Sequence, residues 1–125
     1  MTHPILKPNF VREDERGLFV EAVNGITWEQ VSYGRMKKGS VMGNHYHKET
    51  DVLFFVVDGN TKIDIISVDA NEKESLILHS NEGVILVPDY SHAIRFTEDT
   101  AFILCKSKRY DKDNPDTFPL EVPEL

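Results

Sequence analysis

The chain has 125 residues and a mass of 14.3 kDa, with 40% hydrophobic and 28% charged residues, a profile that fits one globular domain with a single core. Fourteen Lys and Arg against 21 Asp and Glu leave a formal charge of −7, which argues against nucleic acid or an anionic membrane as bulk partner, since both need a basic face. No run reaches the ~20 apolar residues of a membrane span, Met1-Thr2-His3-Pro4 lacks a signal-peptide layout, and the single Cys105 makes no internal disulfide, so a reducing, cytoplasmic setting is expected.

Short apolar runs broken by turn residues predict strands over 18–22, 29–36, 43–47, 52–57, 62–68, 75–79, 84–87, 92–96 and 101–106. Asn24-Gly25, Lys38-Gly39, Asp58-Gly59-Asn60 and Asn81-Glu82-Gly83 mark turns between them. Strands at this spacing specify an all-β sandwich or barrel, and no segment carries an apolar face of helical period. Residues 52–57 and 101–105 are apolar at consecutive positions, as in strands buried on both faces. In so small a domain the second face needs another sheet or another subunit, so a homodimer is expected. Residues 111–125 hold Pro115, Pro119 and Pro123 among acidic residues and read as an extended tail lying on the domain, its acids solvated.

The chemistry concentrates in Gly39-Ser-Val-Met-Gly-Asn-His45-Tyr-His47-Lys-Glu49-Thr-Asp51 and in Gly83-Val-Ile-Leu-Val-Pro88-Asp-Tyr90-Ser-His92. Strand alternation puts His45 and His47 on one face, about 6.5–7 Å apart along the chain. Two such imidazoles can converge on a metal ion, or can flank a substrate, one taking a proton while the other orients it. His92 supplies a third imidazole. Tyr33 and Arg35, two apart, share a face of the preceding strand and can reach the same pocket. His3 and His79 carry no motif and read as surface residues, Tyr46 as packing, and Cys105 as a small buried hydrophobe.

Gly39, His45, His47 and Gly59, followed by Gly83, Pro88 and His92, resemble the two motifs of the cupin superfamily. The resemblance covers about residues 30–107. It implies one antiparallel jelly-roll β-barrel over 1–125, with its core at about 18–107 and the Pro-containing tail at 108–125. The acid that follows the His pair in metal-binding cupins falls one residue early: Val52 stands at the usual place and Asp51 before it. The three-His set His45, His47 and His92 is therefore the expected metal site for Zn, Ni, Fe or Mn, if a metal is bound, with Asp51 as a possible fourth ligand.

Arg16-Gly17-Leu18-Phe19-Val20-Glu21 together with Gly43-Asn44-His45-Tyr46-His47-Lys48 is similar to cupins that act on nucleotide-linked 4-keto sugars, the 3,5-epimerases and 3,4-ketoisomerases. That resemblance implies proton transfer α to a carbonyl, with His45 as base, His47 as orienting group or metal ligand and Tyr33 as proton donor. Arg35, Asp51 and Tyr90 are the matching candidates for substrate contact. Arg35, Lys37, Arg95, Lys106 and Lys108 are candidates for a basic rim that would meet the diphosphate of a dTDP- or UDP-linked sugar. Related domains occur fused to a reductase, so a reductase partner is a further possibility. The competing readings are a metal-dependent cupin enzyme, such as a dioxygenase or sugar isomerase, and a small-molecule-binding cupin without catalysis. Fold alone does not decide among them.

Overall fold

The computed structural model describes residues 2–125, and among them there are strands and turns but no helix. The strands are β1 (Phe10–Asp14), β2 (Gly17–Glu21), β3 (Gln30–Met36), β4 (Val41–Tyr46), β5 (Val52–Asp58), β6 (Asn60–Ser67), β7 (Lys73–His79), β8 (Glu82–Leu86), β9 (Tyr90–Phe96), β10 (Thr100–Lys106) and the two-residue β11 (Phe118–Pro119). The nine strands expected from the sequence stand within a few residues of their predicted bounds. The first strand, β1, and the last, β11, were not expected.

The pairing is nested. β6 pairs with β7, β5 with β8, β4 with β9 and β3 with β10, all antiparallel. Successive pairs fall alternately into two sheets, β3-β10-β5-β8 and β11-β4-β9-β6-β7. This is one long hairpin rolled on itself, a jelly roll of the cupin type, and it meets the all-β expectation. The hairpin β1-β2 stands apart as its own two-stranded sheet.

Between the two sheets lies one core, built from Val52, Phe54 and Val56 of β5, Ile63 and Ile65 of β6, Leu76 and Leu78 of β7, and Val84 and Leu86 of β8, closed by Ile94, Phe96 and Phe102. Phe54, Phe96 and Phe102 pack with ring centroids 5.1–6.3 Å apart. Gly34 of β3 makes room for them, since a Cβ there would stand 2.4 Å from the Phe102 ring. β5 is buried at Val52 through Val56 on both faces, as its unbroken apolar run predicts. Cys105 is buried, and burial raises its thiol pKa.

His3 departs from expectation. It is fully buried, stacked edge-on against Tyr90 with centroids 4.9 Å apart and paired with Glu74. The tail does follow an extended path over the domain, but its polar groups are engaged. Asp64, fully buried, accepts from Arg95 Nε at 2.8 Å and Ser75 Oγ at 2.8 Å, and Arg95 Nη2 donates to the Val122 carbonyl at 2.8 Å. Val122 in turn packs against Ile66 and Ala93.

Candidate active site

The strand β4 carries the first two histidines, and its local geometry is set by Gly43 and Asn44. Both have positive φ, 104° and 60°, and the register against β9 shifts between Gly43 and His45, the mark of a β-bulge that re-aims the following side chains. Gly43 also allows a close approach: a Cβ there would lie 2.5 Å from the His92 carbonyl oxygen. After the bulge His45 stands opposite His92 of β9, and His47 follows just beyond the strand on the same face.

The three rings converge. Centroids are 4.8 Å apart for His45 and His92, 5.2 Å for His45 and His47, and 6.1 Å for His47 and His92. One ligand nitrogen from each lies within 4.8 Å of the others. His47 Nε2 and His92 Nδ1 are buried and meet no hydrogen-bond partner, and such orphaned atoms call for an explanation. Burial, reinforced by the neighbouring His47 and Lys106, pushes the pKa of His45 down to about 4. Burial and the other imidazoles push His92 down to about 3. Both are therefore neutral at pH 7, with a lone pair to offer a proton or a cation.

The histidines lie in a cavity of about 320 Å³ at the β3–β4 end of the sandwich. Gln30, Ser32 and Met36 of β3, Met42, Val52 and Lys106 contribute to its walls. A second opening of about 230 Å³ shares His47 and Lys106 with it and adds Lys108, Arg109 and Asn114. One concave site thus has an apolar, imidazole-bearing floor and a polar opening in which Lys106, Lys108 and Arg109 stand beside Glu49, Asp111 and Asp116, with Lys108 paired to Glu49 at 3.4 Å, a combination suited to a polar ligand.

The structure brings His45, His47 and His92 together and leaves other predicted site residues elsewhere. Tyr33 and Arg35 do share a face, as Arg35 Nε donates to Tyr33 Oη at 2.9 Å. That face is the outer one, where Tyr33 is 61% exposed. Strand alternation is the reason: Gln30, Ser32, Gly34 and Met36 turn inward, so their neighbours turn out. Arg35 does not line the histidine cavity, whereas Tyr33, although its side chain is on the outer face, borders the cavity at its rim. Asp51 is not among the groups gathered around the imidazoles, where Val52 occupies the wall instead. Tyr90 packs on His3 and donates to Glu72, away from the cavity.

Of the expected basic rim, only Lys106 and Lys108 border the site. Arg95 is held by Asp64, and Arg35 and Lys37 line a separate surface hollow. Residues that motif reading missed include Asp116 and Asn44. Asn44 holds the tail at two points, accepting from Leu120 N at 3.0 Å through its carbonyl and from Val122 N at 2.9 Å through Oδ1. A Gly-Asn pair ahead of His-x-His, both residues tolerant of positive φ, is the faint sequence signal for that bulge.

Known proteins share this architecture. The capsular polysaccharide assembling protein CapF of Staphylococcus aureus superposes with a TM-score of 0.72 at 29% identity, covering 95% of this chain and 33% of its own. A 3,4-ketoisomerase of Helicobacter canadensis gives a TM-score of 0.79 at 21% identity over 94% of this chain and 90% of its own. A curated relative from Pseudomonas aeruginosa, UDP-2-acetamido-2,6-beta-L-arabino-hexul-4-ose reductase, is 26% identical over 118 residues, 91% of this chain. The chain spans about a third of that relative's length, 32%. Residues 12–118, which take in both sheets, the bulge and all three histidines, match the polysaccharide biosynthesis C-terminal domain, and the chain belongs to that family.

Proposed function

We propose that this chain is an epimerase or isomerase of nucleotide-linked 4-keto sugars, working by proton transfer α to the carbonyl. The observation that carries the reading is the pair of neutral, inward-facing imidazoles, His45 and His92, in a cavity whose opening offers Lys106, Lys108 and Arg109 among the acidic Glu49, Asp111 and Asp116. The named functions of the structural neighbours, a 3,4-ketoisomerase and a dTDP-4-dehydrorhamnose 3,5-epimerase, support it.

In this reading the sugar lies on the imidazole floor and the diphosphate meets the cationic opening. His45 takes the α-proton. Its low basicity comes first from desolvation, and an enolate forming beside it supplies the negative charge that stabilises the imidazolium. Lys106, shared by both openings, is the cation placed to balance the enolate. His47 orients the sugar as an acceptor at Nε2, or, once it has taken a proton from solvent, delivers it to the opposite face or to the adjacent atom. A reductase acting on the product is the partner this reading implies. We also propose a cytoplasmic setting, on the single cysteine of the sequence, and one cupin domain over residues 1–125. No helix of the described residues is long and apolar enough to cross a membrane.

The test is deuterium wash-in from D2O into dTDP-linked and UDP-linked 4-keto-6-deoxy sugars, followed by NMR. Solvent deuterium at a carbon next to the carbonyl, slowed at least about 100-fold in His45→Ala, is the expected result. No exchange with either class sinks the proposal.

A second reading has its own observation. The orphaned His47 Nε2 and His92 Nδ1, with His45, fit a three-imidazole site for Zn, Ni, Fe or Mn, with a fourth position that no carboxylate fills. A metal held there would act as Lewis acid on the substrate carbonyl. About one metal per chain in purified protein, lost in a His45→Ala, His47→Ala double variant, supports it; metal-free protein after growth in supplemented medium overturns it. A ligand-binding domain without turnover is the outcome if sugar binds and no deuterium enters.

We further propose a homodimer. The outer face of the β3-β10-β5-β8 sheet is apolar at its edge strand, with Val31 72% and Tyr33 61% exposed. The β1-β2 hairpin exposes Phe10, Val11, Leu18 and Phe19. Exposed apolar side chains of this kind mark an interface. Light scattering after size exclusion should give twice the 14.3 kDa chain mass, and a monomer at all accessible concentrations refutes it.

A further inference from the structure

The C-terminal tail reaches the site through Asp116. Its carboxylate accepts the backbone N–H of Lys48 at 2.8 Å, of Glu49 at 2.9 Å and of Thr50 at 2.9 Å, and the Thr50 hydroxyl at 2.8 Å. These four bonds tie residue 116 to the turn that directly follows His47. The carbonyl of the same residue meets Nδ1 of His47. A carbonyl oxygen can only accept, so Nδ1 must carry the proton. The other nitrogen, Nε2, is then a lone pair, and it is the atom left buried and unpartnered in the cavity.

We infer that Asp116 is a positioning residue for His47: its carboxylate fixes the turn and tail so that its own carbonyl selects the Nδ1–H tautomer and presents Nε2 to the ligand as an acceptor. Two arrangements farther along hold the tail in register with the histidine strand. Phe118 and Pro119 pair with Tyr46 and His45, Phe118 stacks on Tyr46 with centroids 5.5 Å apart, and Lys48 Nζ lies 4.2 Å from the Phe118 ring centroid. Farther along, Leu120 and Val122 donate to Asn44 at the bulge. Residues 116–122 therefore brace both histidines of the His-x-His pair from outside the cavity.

The device is the one that metal-binding and catalytic imidazoles share, in which the hydrogen bond at one ring nitrogen decides what the other can do. An acceptor at Nε2 serves proton abstraction and metal ligation alike, and it rules His47 out as a hydrogen-bond donor to the substrate in its neutral form. The inference leans on the proposed function only for what the lone pair is used for. The tautomer is a property of the protein without substrate.

The experiment is long-range proton–nitrogen correlation NMR on histidine-labelled protein at pH 7, with no substrate or metal added, for wild type, Asp116→Ala and Asp116→Asn. Wild-type His47 should show the Nδ1–H pattern. Asp116→Ala should show a mixed or Nε2–H population at His47 with dispersed amide signals, and Asp116→Asn, which keeps one acceptor oxygen, should fall between. An Nε2–H pattern in the wild type overturns the inference, as does an unaltered His47 in a folded alanine variant. Should the alanine variant not fold, Asp116→Asn carries the test, with a mixed His47 population supporting the assignment and an unaltered one refuting it. Titration with Co(II) gives a second readout: affinity should fall at least about tenfold in Asp116→Ala with Asp116→Asn intermediate. Failure of deuterium exchange would sink the sugar reading and leave this result standing; an Nε2–H tautomer would do the reverse.

Discussion

The two ends of the chain make opposite use of opposite compositions. The β1-β2 hairpin is rich in apolar side chains, yet Phe10, Val11, Leu18 and Phe19 are each about half exposed and the hairpin pairs with neither large sheet. The tail is acidic and proline-broken, yet it is fastened by Asp116, Asn44, Arg95 and Ser91, the last donating to Leu120 O at 2.6 Å. Apolar content says how much a segment would gain from being covered; hydrogen-bond partners decide whether it is attached. The hairpin waits for a surface, and the tail has already found one through its backbone.

The sharpest way to break the contrast is to cut the tail's deepest anchor. Arg95→Met removes the guanidinium that faces fully buried Asp64 and also the donor to the Val122 carbonyl. Leaving a buried carboxylate without its main partner should cost about 3–5 kcal/mol, read as a large drop in the urea midpoint. A loss under about 1 kcal/mol would show the tail to be a passenger.

Asp116→Ala should come next, at about 2–4 kcal/mol for four bonds to a charged acceptor. This effect has a pH signature. Burial alone would raise the Asp116 carboxyl, but the N–H groups of Lys48 and Glu49 and the Thr50 donors outweigh it and hold its pKa below the ordinary 3.8. A folded value below the unfolded one means the stabilisation is fully present above about pH 4 and is lost as pH falls through the folded value. Wild type and variant should therefore differ most at neutral pH and converge in acid, which thermal unfolding from pH 7 to pH 2.5 would reveal. A gap that widens in acid would contradict the assignment.

Gly43→Ala probes the bulge itself. The added Cβ would stand 2.5 Å from the His92 carbonyl at a φ of 104°, so a destabilisation of about 1–3 kcal/mol is expected, with displaced His92 signals in NMR. An unperturbed His92 would mean the two strands have slack there.

The smallest effect belongs to the hairpin. Phe19→Ser should change the stability of the isolated chain by less than about 0.5 kcal/mol, while weakening self-association measured by sedimentation. Equal stability and equal association would leave the hairpin's apolar surface without a partner in a second copy.

These contrasts mirror what a sequence can disclose. His45, His47 and His92 were legible because glycines and a proline bracket them at fixed spacing; the all-β class followed from strands separated by Gly and Asn turns, and the jelly roll from the resemblance to the cupin motifs. Strand β1 was hidden by Arg12-Glu13-Asp14, which shows no apolar alternation; its partner β2 supplies the pairing. The inward face of β3 was misassigned because Tyr33 and Arg35 carry more chemistry than Gly34, although it is Gly34 whose small size the Phe102 ring requires. Asp116 looks no different from Asp111 or Asp113 in the sequence. What distinguishes it is a set of donors 66–68 residues away, and such distant pairings leave no local trace. His3 was invisible for the same reason.

The nested strand pairing has a consequence in time. β6 and β7 are joined by a short turn and can zip on their own, whereas each outer pair must close a longer loop and pays more chain entropy before any contact repays it. The pair β4 and β9, which carries His45 and His92, is the third of four to close. His47 acquires its Asp116 partner across 69 residues, after every strand from β5 to β10 exists. The fold should therefore mature from the β6-β7 tip toward the cavity, with the reactive imidazoles organised late. Pulsed hydrogen exchange during refolding should protect amides of Ile63 and Ile65 well before those of Met42 and His45; simultaneous protection would refute this order. In a nascent chain of this kind His47 lacks the partner that sets its tautomer until residue 116 has been made and folded back.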